Sequence, residues 1–326
     1  MKLLRTRRAL LSLLLAVALP APLAYAQSEW PNRPVRILVP SAAGGSADFW
    51  ARFIGKKLSE RLGQPFVIEN QPGAFGSLVT TALAKAQPDG YTLGMSFASA
   101  LVPTMTLRPD STYTWKDLQP IGRFGSLGSM LVVMPKVPAR TLGELVTYIK
   151  SKPGELNYAT YGMASGAHIA MEALKKMAGL DIMHVPYPGS QKILTEMQGG
   201  LIDIAATDPV TPMPFLQAGA MYGIAVNGPS RLPGTPDVPT MAEEGYPIFM
   251  PSWYGFFGPK ETPKPVVDRL NAELGKIMSE QDTKEMFKRH NTAITEHLSP
   301  EEFSDFIASE VDVWGNVIRE AGITTQ

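Results

Sequence analysis

Short hydrophobic runs alternate with turns of small residues along most of the chain, and the first such unit sets the pattern. Val35-Arg36-Ile37-Leu38-Val39 is β-branched and apolar with a single charge, which predicts a buried strand. Phe49, Phe53, Ile54, Leu58 and Leu62 then recur at helical spacing, with Arg52, Lys56 and Glu60 on the other face. The turn between them, from Pro40 to Asp48, carries Gly44 and Gly45 among small residues, so backbone N–H groups at the helix start stand accessible. Two readings fit this turn. One is an ordinary strand-to-helix connection; the other is a cradle for a carboxylate or phosphate, because a helix start offers unpaired donors and a partial positive charge.

The same logic repeats downstream. Residues 65–70 read as a strand, 71–77 as a loop, and 78–86 as a helix stopped by Pro88-Asp89-Gly90. Residues 91–96 form the next strand, followed by a loop around Phe97-Ala98-Ser99. A less regular segment holding Tyr113, Trp115 and Leu118 precedes the strongly apolar strand 130–134. A second series begins at Thr141, which with Glu144 matches a capping box at the start of a helix over 142–150. Strand 156–160, loop 161–166 and helix 167–178 follow, and strand 184–187 with the turn Pro188-Gly189-Ser190 leads into helix 191–198. After them come a strand at 202–207, a helix around 213–218 and a strand at 222–227. Residues 252–257 make an apolar strand that returns the chain to the first half, and 265–278 and 300–321 are amphipathic helices. This alternation predicts α/β architecture with parallel sheets, and two such series predict two lobes facing each other.

Composition narrows the setting. Lys2, Arg5, Arg7 and Arg8 precede an apolar run over 9–19 and the small-residue step Ala24-Tyr25-Ala26, which reads as a secretory signal peptide cleaved before Gln27. The run is short for a membrane span, and no other stretch is long and apolar enough. The sequence has no Cys, which excludes disulfides, a lipid-modified cysteine and a thiol nucleophile. Its 30 basic and 30 acidic residues become 26 against 30 once the leader is removed, a net charge of −4. That balance, without a Lys/Arg-rich cluster, argues against a nucleic-acid surface. The expected location is the periplasm.

The ordered motifs resemble the Bug (TctC-like) solute receptors of tripartite tricarboxylate transporters. The resemblance starts at Trp30-Pro31-Asn32-Arg33-Pro34-Val35-Arg36-Ile37-Leu38-Val39-Pro40, Gly44-Gly45-Ser46-Ala47-Asp48 and Ala51-Arg52. It continues through Glu69-Asn70-Gln71-Pro72-Gly73-Ala74, Pro88-Asp89-Gly90-Tyr91-Thr92-Leu93, Leu156-Asn157-Tyr158-Ala159 and His184-Val185-Pro186-Tyr187. Asp237-Val238-Pro239-Thr240 and Pro300-Glu301-Glu302-Phe303 extend it over nearly the whole exported chain. The resemblance implies a type II periplasmic-binding-protein fold, two α/β lobes joined by crossing strands with the ligand in the cleft. On that reading 27–130 and 251–326 form the first lobe and 131–250 the second. It also implies a small carboxylate ligand, membrane subunits of a tripartite transporter as partners, a monomer, and no cofactor or metal.

The resemblance maps ligand contacts onto loops already marked. Ser41, Ala42, Ala43, Gly44, Gly45 and Asp48 belong to the first, with Phe75, Gly76, Ser77 and Phe97 from the next two. Gly162, Ser165, Gly166 and His168 come from the second series, with Ser165 expected as a hydroxyl donor, and Thr207 and Asp208 would meet the distal end. A carboxylate at Asp48 would repel an anionic ligand, so bracing the helix start is favoured over contact. Phe75 stands where many family members have a third glycine and Pro188 where they often have a basic residue. Both departures, with Phe97, suit an aromatic or otherwise apolar-bodied carboxylate or dicarboxylate; the alternative is that the two phenylalanines pack in the core. Trp50 is expected to pack.

Enzyme chemistry finds little support. Gly-x-Ser-x-Gly, Ser-x-x-Lys, His-Glu-x-x-His, P-loop and Gly-x-Gly-x-x-Gly patterns are all missing. Of His168, His184, His290 and His297, only His168 lies beside a marked loop, where a structural role at the helix start competes with ligand contact. The expected function is therefore capture and delivery of an organic carboxylate. Presentation of the same ligand to a two-component sensor is the alternative, and a secreted hydrolase a more distant one.

Overall fold

The computed structural model describes residues 30–73, 76–107, 111–250 and 252–322. The opening unit forms strand β1 (Val35–Val39) and helix α1 (Ser46–Leu62), which Gly63 ends in a left-handed conformation. Trp50, Ala51, Ile54 and Leu58 are buried in one core with Val35, Ile37 and Val39, while Arg52, Lys56 and Glu60 stay exposed. Trp50 packs as expected, its ring 4.1 Å from that of Phe287. The chain continues through β2 (Phe66–Asn70), α2 (Ser77–Ala84) and β3 (Thr92–Phe97). Two one-turn helices, α3 (Ala98–Leu101) and α4 (Thr104–Leu107), precede β4 (Leu118–Leu127).

The second series is β5 (Met130–Val133), α5 (Leu142–Lys150), β6 (Asn157–Thr160), α6 (Gly166–Ala178) and β7 (Met183–Pro186). It goes on with α7 (Ser190–Gln198), β8 (Ile204–Thr207), α8 (Met213–Gln217) and β9 (Tyr222–Val226). The Thr141–Glu144 capping box is present at α5, each side chain accepting from the other's backbone N–H. The chain returns as β10 (Ser252–Pro259) and closes with α9 (Lys264–Ser279), α10 (Gln281–Arg289) and α11 (Pro300–Ala321).

Two five-stranded sheets result, in the orders β2-β1-β3-β10-β4 and β7-β6-β8-β5-β9. The expectation of parallel sheets needs correction. β1 pairs parallel with β2 and β3, and β6 with β7 and β8, but β10 and β5 pair antiparallel with their neighbours. The antiparallel strands are those by which the chain crosses between sheets or comes back. β4 itself was hidden, because Pro120, Gly122 and Gly125 interrupt its apolar alternation. The loop predicted around Phe97 is instead the end of β3 running directly into α3.

The crossings are tied together by one fully buried side chain. Asn227 Oδ1 accepts from the Ser129 N–H at 2.5 Å, and the Asn227 backbone pairs with Ser129 O and Met250 N. Gly128 permits this approach, since a Cβ there would lie 2.4 Å from Asn227 Oδ1. The C-terminal helix α11, expected with the first lobe, packs on both sides. Phe303, Ile307 and Trp314 share a core with Trp253 and Phe257 of the first sheet and with Ala167, Ile169 and Met171 of α6.

Candidate functional site

A cavity of about 530 Å³ opens between the two sheets. Its first-lobe wall carries Ser41, Ala42, Ala43, Gly45, Ser46 and Ala47, then Pro72, Gly73 and Gly76, then Phe97 and Ser99. The facing wall carries Tyr161, Gly162, Met163 and Ser165, the 186–191 turn, and Asp208. Ser252 and Tyr254 on the returning strand β10 complete it.

Each wall therefore presents two helix starts, α1 and α2 on one side and α6 and α7 on the other. Glycine is the N-cap of α1 (Gly45), α2 (Gly76) and α7 (Gly189), and none of the three has a side-chain acceptor on its first-turn N–H groups. Those donors are left for another partner. Gly76 is demanded twice over, by φ 85 and by Ala100 Cβ, which a Cβ at position 76 would meet at 2.6 Å. No Lys, Arg or His is among the described lining residues, and Asp208 is the one charged group there. An anion in this cavity would rest on neutral dipoles and hydroxyls, arranged from both sides.

Asp208 spends its carboxylate on its own turn, accepting from the N–H groups of Val210 and Thr211 and from the Thr211 hydroxyl. Its backbone N–H donates to Ser190 Oγ, which links the α7 start to the β8 end. Burial first, then the Asp208 charge, pushes the Tyr161 and Tyr254 hydroxyls above the ordinary tyrosine range, so both are protonated. Tyr254 Oη lies 2.6 Å from Ser46 Oγ. That bond uses one of the two hydroxyl protons and leaves the other for the cavity.

Residues 50–323 match the family model described as tripartite tricarboxylate transporter family receptor. The chain belongs to this family. Protein BugT of Bordetella pertussis is 33% identical over 296 residues, covering 90% of each chain. Among solved structures, MatC from Rhodopseudomonas palustris with bound malate superposes with a TM-score of 0.81 at 29% identity, covering 89% of this chain and all of its own. A second R. palustris protein, solved with adipate, gives 0.84 at 29% identity over 91% of this chain and 99% of its own. Periplasmic binding protein BugD gives 0.84 at 29% identity over 91% of this chain and all of its own, and the two-lobed α/β architecture is shared with it. Among the described residues no helix is long and apolar enough to cross a membrane.

In this receptor the expected contact residues separate into two groups. Ser41, Ala42, Ala43, Gly45, Gly76, Phe97, Gly162, Ser165 and Asp208 line the cavity; Gly44, Asp48, Ser77, Gly166, His168 and Thr207 are not in its lining. Phe75 lies outside the described residues. Asp48 braces the α1 start: its carboxylate accepts from Gly44 N–H, Asn70 Nδ2 and the Arg52 guanidinium at 2.9–3.0 Å. Burial opposes its ionisation, but Arg52, Gly44 and Asn70 together hold the carboxyl below its usual range. Ser165 was expected to give its hydroxyl proton to a ligand, yet it donates to Gly162 O at 2.8 Å and accepts from His168 N–H, as the cap of α6. Residues the sequence did not reveal include Ser99, Tyr161, Tyr187, Ser190, Ser252 and Tyr254. For Ser190 a signal was available, since the Pro188-Gly189-Ser190 turn opens a helix just as Gly44-Gly45-Ser46 does.

Proposed function

We propose that the protein is an exported periplasmic receptor that captures an organic carboxylate with an apolar body and delivers it to the membrane subunits of a tripartite tricarboxylate carrier. The single observation that carries this reading is the cavity ringed by four helix starts, three of them glycine-capped, with no lysine or arginine among its described lining residues. One carboxylate rests on the α1 and α2 starts, and lobe closure brings α6 and α7 onto the far side. The relatives' malate and adipate support the ligand class. Phe97, Met163 and Tyr187 in the lining favour an aromatic or other apolar body, with one carboxylate or two. The leader is removed before Gln27, and the receptor acts as a monomer without catalysis.

A thermal-shift screen of the purified protein against aliphatic and aromatic mono- and dicarboxylates tests this. A ligand of the folded state alone adds about 2.7 kcal/mol at a hundredfold excess over Kd. A rise confined to one carboxylate class supports the reading, and ligand-stripped protein that responds to none refutes it. Phe97→Ala should then weaken an aromatic carboxylate about tenfold more than an aliphatic one in titration calorimetry. Equal losses would remove the ring from the recognition argument.

A further inference from the structure

His168 is 5% exposed and stands three residues into α6, behind the loop that lines the cavity. Its Nδ1 accepts from the backbone N–H of Ala164 at 3.0 Å. Ala164 has φ 56, one of two described non-glycine residues in the left-handed region, where a Cβ crowds the backbone. Something has to hold that residue there, and the imidazole is the side-chain acceptor its N–H meets. We propose that His168 is a positioning residue which, as the neutral tautomer protonated on Nε2, pins Ala164 and so aims the 162–166 loop and the α6 start at the cavity.

The surroundings fix that tautomer. Nδ1 cannot carry a proton while it accepts one from Ala164. Protonation would set two N–H groups against each other and place a positive charge in the first turn of α6, where the helix dipole disfavours it. From β7, the His184 ring stacks on His168 at 4.0 Å, so a second cation would have to form against the first. His184 is itself held by Thr160 Oγ1 at 2.7 Å on Nε2. On α6, Glu172 lies 3.9 Å from His168 Nε2, but its carboxylate is engaged by Tyr158 of β6 at 2.6 Å and by Lys175 at 2.8 Å. Burial outweighs the Glu172 charge and keeps His168 below the ordinary histidine range.

What the loop holds rests on the carboxylate-receptor reading above; how the loop is held does not, and the test separates the two. Nitrogen-15 shifts of the histidine rings and exchange protection of the Ala164 amide are measured on the purified protein without added ligand. The expected result is an unprotonated Nδ1 on His168 near neutral pH. Ala164 protection should survive in H168N, whose Oδ1 replaces the acceptor, and fall about tenfold in H168Q, whose acceptor sits where Nε2 was. In the wild type, protection should decline as pH falls through the His168 titration, and in H168N it should not. A proton on Nδ1, equal protection in H168Q and wild type, or pH-independent wild-type protection overturns the proposal. Should H168Q fail to fold, the wild-type tautomer and pH profile decide. These outcomes stand whichever way the carboxylate screen falls.

Discussion

The two loops that face each other across the cleft solve the same problem with opposite electrostatics. The first-lobe turn puts glycine, Gly44 at φ 82, in its left-handed position and braces the helix start with the buried Asp48 carboxylate, ion-paired to a solvent-exposed Arg52. The second-lobe turn puts Ala164 in the left-handed position and braces it with a neutral imidazole. One wall is held by charge without backbone strain, the other by an uncharged acceptor with strain. Their responses to mutation therefore differ in size and sign, and their responses to acid differ in the pH at which they set in.

The largest separation should come from Asp48→Ala. It removes the acceptor shared by Gly44, Asn70 and the exposed Arg52, and should cost about 2 kcal/mol in a denaturant melt. The reading of Asp48 as the first-lobe brace fails if the variant is as stable as the wild type.

Acid should act on the other wall first. Burial, then the His168 charge, pulls His184 down to about 4, and His168 is lowered too. For a depressed group, stability is complete above the unfolded value, near 6.5, and is lost as pH falls towards the folded one. Screening by solvent reduces the expected loss to about 1–2 kcal/mol between those limits. Asp48 is also depressed, but from 3.8, so its contribution persists until the pH is lower still. A melting temperature flat from pH 6.5 down to 4 would show that the histidine pair is not the weaker brace.

The smallest effects should have opposite signs. Gly44→Ala meets no atom within 4 Å, so its cost of about 1 kcal/mol is backbone strain alone. Ala164→Gly relieves strain at the price of chain entropy and should stabilise by about 0.5 kcal/mol. It should also recover part of the loss in His168→Gln, a coupling that a double-mutant cycle measures.

Much of this was legible in the sequence because it is local. The strand–turn–helix period and the Thr141–Glu144 box depend on residues within a few positions of one another. The loops holding Ser41, Gly76 and Gly162 were found by their glycines and small residues, Asp208 came from the family resemblance alone, and all four residues line the cavity. What the sequence concealed is long-range. Tyr254 reaches Ser46 across 208 positions because β10 enters the first sheet between β3 and β4. Ser165 looked like a ligand donor because nothing in the sequence says its proton already belongs to Gly162 O.

The place of β10 also bears on how the chain can acquire its shape as it appears from one end. The strand that joins β3 to β4 is Ser252–Pro259, encoded after the entire second sheet. Until residue 259 has emerged, from a ribosome or an export channel, the first sheet is two separated pieces with facing bare edges. Trp314, which wedges both halves against one another, arrives later again. Completion of the first lobe is thus postponed by the order of the strands, whereas the second sheet, contiguous from β5 to β9, is complete in the chain before it.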